Sequence, residues 1–347
     1  MAPPVKTRVY LTVDTENSMG GAWDDVSKRP VPAERRIFCK IGERDLGIGW
    51  ICDELDQRGF RATFFCEVLA SLVLGEADTA SYLNFLVARG QDVQLHAHPV
   101  FYFYRKYLDA VSRGENYNHS QTCDNLGRLS IDLQRQLLQS AYQIFVRLTG
   151  KPPVAYRAGG YNCSLETLTI LANLGLLMDS SFNATYQGRG SFDGADIALN
   201  IAQRIQGLWE LPVTVARQSL PDSAFRTGLK PFEVSSISAW EMRRMLDHAS
   251  SNGVEDVVVM FHSFSAVKAR DLQYTQIRPD RIVRHRFAAL LDYLAQRSDR
   301  FIVTTFSDIA NDTNQLQGQP RGSVADLGFA RPLARKLVQG ANRFFWL

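Results

Sequence analysis

Residues 9–16 read VYLTVDTE. The first five are β-branched, aromatic or apolar with no charged interruption, the pattern of a strand with both faces covered. If extended geometry persists past Val13, Asp14 and Glu16 share one face and Thr15 takes the other, because strand side chains alternate with period two. Two carboxylates converging at a strand end repel unless they share a cation or a proton, which suits a metal ligand beside a base. The alternative for such a pair is a solvated loop or a helix cap.

Working outward, six more runs share this character: ATFF (62–65), DVQLH (92–96), VAYRA (154–158), LWELPV (208–213), DVVVMFH (256–262) and FIVTTF (301–306). Helix-length segments separate them at 48–59, 82–90, 135–150 and 165–175, several closing on a glycine suited to a C-cap. Near-continuous apolar strands alternating with helices predict a parallel α/β sheet or barrel over residues 1–310. Residues 17–36, 99–134 and 180–206 break the pattern, and each follows the C-terminal end of a strand, where parallel α/β proteins build their sites. The second of these holds Phe101, Tyr102, Phe103, Tyr104, Tyr107 and Tyr117, which either stack on a ligand or pack the insertion onto the barrel.

Composition narrows the function classes. The chain has 347 residues, 45% hydrophobic, with a net charge of +3. That excess is too small for a nucleic-acid footprint. No run of about 20 apolar residues exists to span a bilayer. The N-terminal MAPPVKTRVYLTV has neither an apolar h-region nor a small-residue cleavage site, so a cytoplasmic protein is expected. Five cysteines without CxxC spacing are expected as reduced thiols.

Four further groups carry chemistry. His96 and His98 close the strand DVQLH on one face, and two imidazoles with a carboxylate form the usual partial zinc site. In YRAGGY (156–161), Arg157 at a strand end can clamp a carboxylate, and backbone N–H groups after the two glycines can serve as an oxyanion hole. His262 closes a long apolar run and is a candidate general acid, because burial alone would leave it without a partner. Asp179 in LLMDSSFN is a candidate to orient it.

In this order the motifs LTVDTE, DVQLHAHP, YRAGGY, DSS and MFHS resemble those of the polysaccharide deacetylase family, also called the NodB-homology or carbohydrate esterase family 4 fold, in the subgroup that carries Asp-x-Glu. The resemblance covers roughly residues 8 to 310. It implies a distorted (β/α)7 barrel, one divalent metal ion with zinc as the default for His and carboxylate ligands, and hydrolysis of an N-acetyl group on a sugar. Carried over, Glu16, His96 and His98 would hold the metal and Asp14 would be the general base, oriented by Arg157. Tyr161 would offer its backbone N–H to the oxyanion, and His262 would protonate the leaving amine. Thr15 stands where the family has a second aspartate, so the opposite division, Asp14 on the metal and Glu16 as base, stays open. The spacing His-x-His replaces the family's His-x-x-x-His, and strand alternation keeps both rings on one face.

The expected substrate is a cytoplasmic nucleotide- or lipid-linked amino-sugar precursor. Hydrolysis of another amide, such as an N-formyl sugar or a ring amide, and a non-catalytic carbohydrate-binding barrel are the alternatives. Residues 311–347 are expected as a polar linker and a basic amphipathic tail, with Arg321, Arg331, Arg335, Lys336 and Arg343 against Asp312 and Asp326. On a helical wheel, Leu333, Ala334, Leu337, Val338, Ala341, Phe344 and Phe345 share one side and Arg335, Lys336, Gln339 and Arg343 the other. Such a helix either touches the inner face of a membrane through residues 331–347 or docks on the barrel or on a second copy in a homo-oligomer.

Overall fold

In a computed structural model that describes residues 6–187, 191–219, 228–316 and 322–344, residues 9–15 of the opening run fall in β1 (Thr7–Thr15), buried along its whole length, and Glu16 follows it, half-buried. The other strands of the main sheet are β2 (Thr63–Glu67), β3 (Asp92–Ala97), β4 (Ala155–Ala158), β5 (Met178–Asp179), β6 (Gln203–Ile205), β7 (Leu208–Glu210), β8 (Asp256–His262) and β9 (Phe301–Thr304). The order is β8-β1-β2-β3-β4-β5-β7-β6, with β9 also paired to β1, and all are parallel except β6. The gap between β7 and β8 is bridged without regular strands: Thr214 N–H donates to Val258, Phe232 to Thr214, and Met260 to Phe232. The sheet therefore curls into the expected distorted barrel. The two elements not anticipated, β5 and β6, are two and three residues long, too short to show a period.

Parity along β1 divides the core. Val9, Leu11 and Val13 face outward onto helices α1 (Ile48–Asp56), α6 (Ala239–Ser251) and α7 (Arg281–Gln296). Tyr10 faces inward with Phe65, Met178, Trp209, Val258 and Met260. Helices α2 (Glu76–Ala88), α3 (Pro99–Ser112), α4 (Ile131–Thr149) and α5 (Leu165–Asn173) complete the outer layer up to β5. α4 begins on Ser130, whose side chain accepts from Leu133 N, and ends on Gly150 in the left-handed region (φ 71°), a conformation glycine adopts without Cβ strain. The aromatic run at 101–107 is helical: α3 has Pro99 in its first turn, with Phe101, Phe103 and Tyr104 buried. Trp23 packs against Tyr104, Tyr107, Tyr117 and His119, so these rings hold segments 17–36 and 99–134 together. All five cysteines are free thiols, four of them buried.

The packed core draws in residues beyond 310. Leu316 belongs to the barrel interior, Ala325 and Leu327 to the outer core, and the backbone at Asp326 bridges to Arg217, whose N–H donates to the Ala325 carbonyl and whose carbonyl accepts from Leu327 N. Helix α8 (Ala330–Phe344) is fastened by a buried ion pair, Arg335 to Glu241 at 2.6 Å. The tail therefore docks on the barrel. Of the residues on which the wheel rests, Phe345 lies outside the described residues, as does Arg321 of the linker.

Candidate active site

Strand register brings the chemistry to one end of the barrel. Glu67, His96 and Arg157 are aligned neighbours on β2, β3 and β4, and Asp14 is aligned with His262 on β8. The chain stays extended through His98 (φ −113°, ψ 111°), so alternation carries beyond the strand and puts both imidazoles on one side. Glu16 Oε2 lies 2.9 Å from His98 Nε2 and 3.3 Å from His96 Nε2.

The partners of the two rings decide what this cluster can hold. His96 Nδ1 lies 2.7 Å from the carbonyl oxygen of Arg157, and His98 Nδ1 lies 2.8 Å from Asp124 Oδ2. Both partners only accept, so each Nδ1 carries the proton and a neutral ring turns its Nε2 lone pair toward the Glu16 carboxylate. Acceptors facing acceptors call for positive charge between them. Burial opposes charge on His98, but Asp124 and Glu16 raise its pKa well above the imidazole range; burial raises that of Glu16, yet the imidazoles, His98 foremost, hold it well below the carboxylate range. A proton supplies the missing charge in part, and a divalent cation supplies it for all three ligands, whose donor atoms lie within 4.8 Å of one another. Two imidazoles and one carboxylate with open positions are the ligand set of a catalytic zinc site. Gly159 permits this packing: a Cβ there would sit 2.6 Å from the His98 ring. Of the two carboxylates left open by the sequence, Glu16 is the one grouped with the histidines.

Asp14 is held separately. Its Oδ1 accepts from Arg157 Nη1 at 2.7 Å, and the guanidinium also donates to Thr12 Oγ1, to the Ser180 carbonyl and to Ser180 Oγ, while stacking 4.4 Å above Phe65. Arg157 is fully buried and Asp14 nearly so. Planarity and five donors let Arg fix a carboxylate in this way. Tyr161 sits in the left-handed region (φ 60°), following Gly160 at φ 58°, and the turn leaves its N–H without a backbone acceptor among the described residues. His262 is half-buried with its ring 4.9 Å from that of Phe264, and its ring nitrogens make no hydrogen bond among the described residues.

Asp179 does not orient His262. Met178 points into the barrel, so Asp179 points outward, to the opposite side of the sheet. There its carboxylate accepts from Ser181 N and Oγ, both at 2.8 Å, and Ser181 Oγ in turn accepts from Ala158 N. It lies against Glu210, its aligned neighbour on β7. Burial raises both pKa values, and Glu210 Oε2 has no donor among the described residues, so the pair shares a proton. Asp179 acts on the arginine motif from behind, through the Ser181 turn.

Three residues around the site were not foreseen. Asp124 anchors His98 and also accepts from Val100 N at 3.0 Å. Glu67, fully buried, accepts from Leu69 N, Ala70 N and His98 N, and burial pushes its pKa up to about 7. Arg36 stacks on Phe264, bonds the Tyr274 hydroxyl and reaches within 3.8 Å of Glu16 Oε1. Only Glu67 leaves a sequence signal, a carboxylate ending the apolar run ATFFC, the same cue that singles out His262.

No family model matches the chain, and no curated protein matches it in sequence. Solved structures do. A putative polysaccharide deacetylase from Mycobacterium smegmatis superposes with a TM-score of 0.51 at 17% identity, covering 93% of this chain and 96% of that one. The chain has the polysaccharide deacetylase fold. A family 4 carbohydrate esterase from Streptomyces lividans, solved with acetate, follows at a TM-score of 0.43 and 12% identity over 92% of this chain and 98% of that one. An allantoinase, PuuE, gives 0.48 and 13% over 90% and 91%. On the deacetylase fold the Glu16, His96 and His98 cluster and the Asp14–Arg157 pair sit at the C-terminal ends of the parallel strands, where α/β proteins place their sites.

Proposed function

We propose that this chain is a metal-dependent hydrolase that removes the N-acetyl group from an amino sugar. The observation that carries the proposal is Glu16 facing two imidazole lone pairs, beside a carboxylate held by a buried arginine and opposite an uncommitted histidine. A divalent ion held by Glu16, His96 and His98 would lower the pKa of a bound water and polarise the acetyl carbonyl. Asp14, with Oδ1 fixed by Arg157, has its other oxygen to take the proton of the attacking water. The Tyr161 N–H would donate to the oxygen on which charge develops. His262 protonates the departing nitrogen, a step an amide requires because an unprotonated amine leaves poorly.

The remainder of the substrate needs room beside this centre. Phe264, which packs against His262, also lines a cavity of about 420 Å³ bounded by Lys268, Asp280, Arg286 and Asn342. Its walls, which set charged groups of both signs beside apolar ones, support a nucleotide- or lipid-linked amino sugar as the conjugate. The test is release of acetate or formate from a panel of N-acylated amino sugars, free and conjugated, by metal-loaded wild type, Asp14→Asn and His262→Ala. Acetate release lowered about 10²- to 10⁴-fold by each substitution supports the assignment. Release that is unchanged in Asp14→Asn, or absent in wild type across the panel, overturns it.

A further inference from the structure

The two oxygens of Glu16 face different partners. Oε2 lies against both imidazoles, at 2.9 and 3.3 Å. Oε1 accepts no hydrogen bond among the described residues, and the one arginine or lysine paired with it there is Arg36, whose Nη2 lies 3.8 Å away. That separation is too long for a hydrogen bond, so the attraction is one of charge. Both side chains are largely buried, at 12% and 16% exposure, where salt screens the attraction less than at a surface. Glu16 needs such a hold because it is the first residue past the end of β1, outside the ladder that pairs Thr15 with Cys66.

Arg36 is delivered by a closed loop and then gripped. Val31 N donates to the Ser18 carbonyl and Asn17 Nδ2 to the Val31 carbonyl, and Asp78 on α2 accepts from both Asn17 Nδ2 and Ala33 N. Residues 17–36 therefore leave Glu16 and return beside it, ending in the four-residue helix Ala33–Arg36. The guanidinium lies 3.2 Å over the Phe264 ring and 4.7 Å over that of Tyr274, and it donates to the Tyr274 hydroxyl. Tyr274 holds a left-handed backbone (φ 57°), uncommon for a tyrosine, in a loop closed by Asp271, which accepts from Gln273 N, Thr275 N and Gln276 N. Gln273 in turn donates to the Gly20 and Arg29 carbonyls, which ties this loop to the 17–36 segment. A planar cation fixed by two rings and a hydroxyl sets the direction of its field, and the carboxylate orients to it.

We propose that Arg36 is a positioning residue for the metal centre: it holds Glu16 Oε1 away from the cluster, so that Oε2 alone ligates the ion and a coordination position stays open. The proposal rests on the reading of Glu16, His96 and His98 as the metal ligands. A carboxylate ligates through one oxygen or two, and among the described residues nothing but Arg36 keeps Oε1 from turning to the ion. The test is the visible absorption of cobalt(II) titrated into the full chain, which weakens when a further oxygen joins the ion. For Arg36→Met, which keeps a long side chain against Phe264, absorption per bound ion should fall at least about twofold relative to wild type, with one ion still bound per chain. Tyr274→Phe, which frees the guanidinium but retains its charge and both rings, should lower it less. Arg36→Met that takes up one ion with the wild-type spectrum overturns this proposal and leaves the ligand assignment standing; wild type that binds no cobalt overturns both. Melting curves are recorded alongside: should Arg36→Met fail to fold, a weakened spectrum in Tyr274→Phe upholds the proposal and an unchanged one overturns it.

Discussion

Replacing Arg157 with Met removes four hydrogen bonds and strands Asp14 in a nearly dry position, while keeping a side chain of similar length over Phe65. With charge centres about 4 Å apart and an effective dielectric near 20, the lost attraction is about 4 kcal/mol. Breaking a buried pair from one side costs about 3–5 kcal/mol, because the partner is left charged and unpaired. Asp14→Asn in the Arg157→Met background removes that stranded charge and should recover about 2 kcal/mol or more, so the two substitutions are strongly non-additive. The single variant should also be pH-dependent. A stranded carboxylate has its folded pKa raised above the unfolded value, so its proton stabilises the fold at low pH and that stability is lost as pH rises through the folded pKa. Urea unfolding of the four proteins of the cycle, followed by far-ultraviolet circular dichroism at about pH 5 and about pH 8, measures both effects. Additive single effects, or a penalty for Arg157→Met that does not change with pH, would refute the assignment of Arg157 as the buried counter-charge of Asp14.

Other substitutions probe the supports of the site. Gly159→Ala forces a methyl group against the His98 ring and should weaken metal binding at least about tenfold while leaving the rest of the barrel folded, read by metal titration and thermal melting. Asp124→Asn keeps a hydrogen bond to His98 but removes the charge behind it; metal affinity should fall about 10- to 100-fold. Glu210→Gln replaces the shared proton of the Asp179–Glu210 pair with an amide donor. In wild type the raised pKa makes stability fall as pH rises from the ordinary carboxylate range to the point where that proton is lost, by up to about 1.4 kcal/mol per pH unit. The variant should lose this slope, and urea midpoints across that range decide it.

Much of the barrel could be read from the sequence because its parallel strands are buried on both faces and appear as unbroken apolar runs. The same alternation rule that places Tyr10 inside and Val9 outside places Asp14 and Arg157 together in the interior. It also puts Glu16, His96 and His98 around one point. Asp179 shows where the rule stops. Its strand has two residues, so no run of residues defines its phase, and only the pairing of Met178 with Ala155 and Trp209 reveals that the aspartate points out of the barrel. Asp124 and Arg36 were invisible for a different reason. Asp124 comes from an irregular segment and Arg36 from a four-residue helix, Ala33–Arg36, and the path of each depends on tertiary packing, in one case the rings around Trp23, in the other the stack on Phe264 and Tyr274. The tail helix was legible as amphipathic, but which face it would bury depended on Glu241, Gln218 and Asp280, residues 62 or more positions away from the side chains they hold.

The central claim is that Glu16, His96 and His98 bind a divalent ion. Its most direct measurement is calorimetric titration of zinc into chelator-treated protein, for wild type and for His96→Ala/His98→Ala. One ion per chain, bound at least about 100-fold more weakly by the double variant, is the predicted result. Wild type that takes up no ion, or a double variant that binds zinc as tightly as wild type, would contradict it.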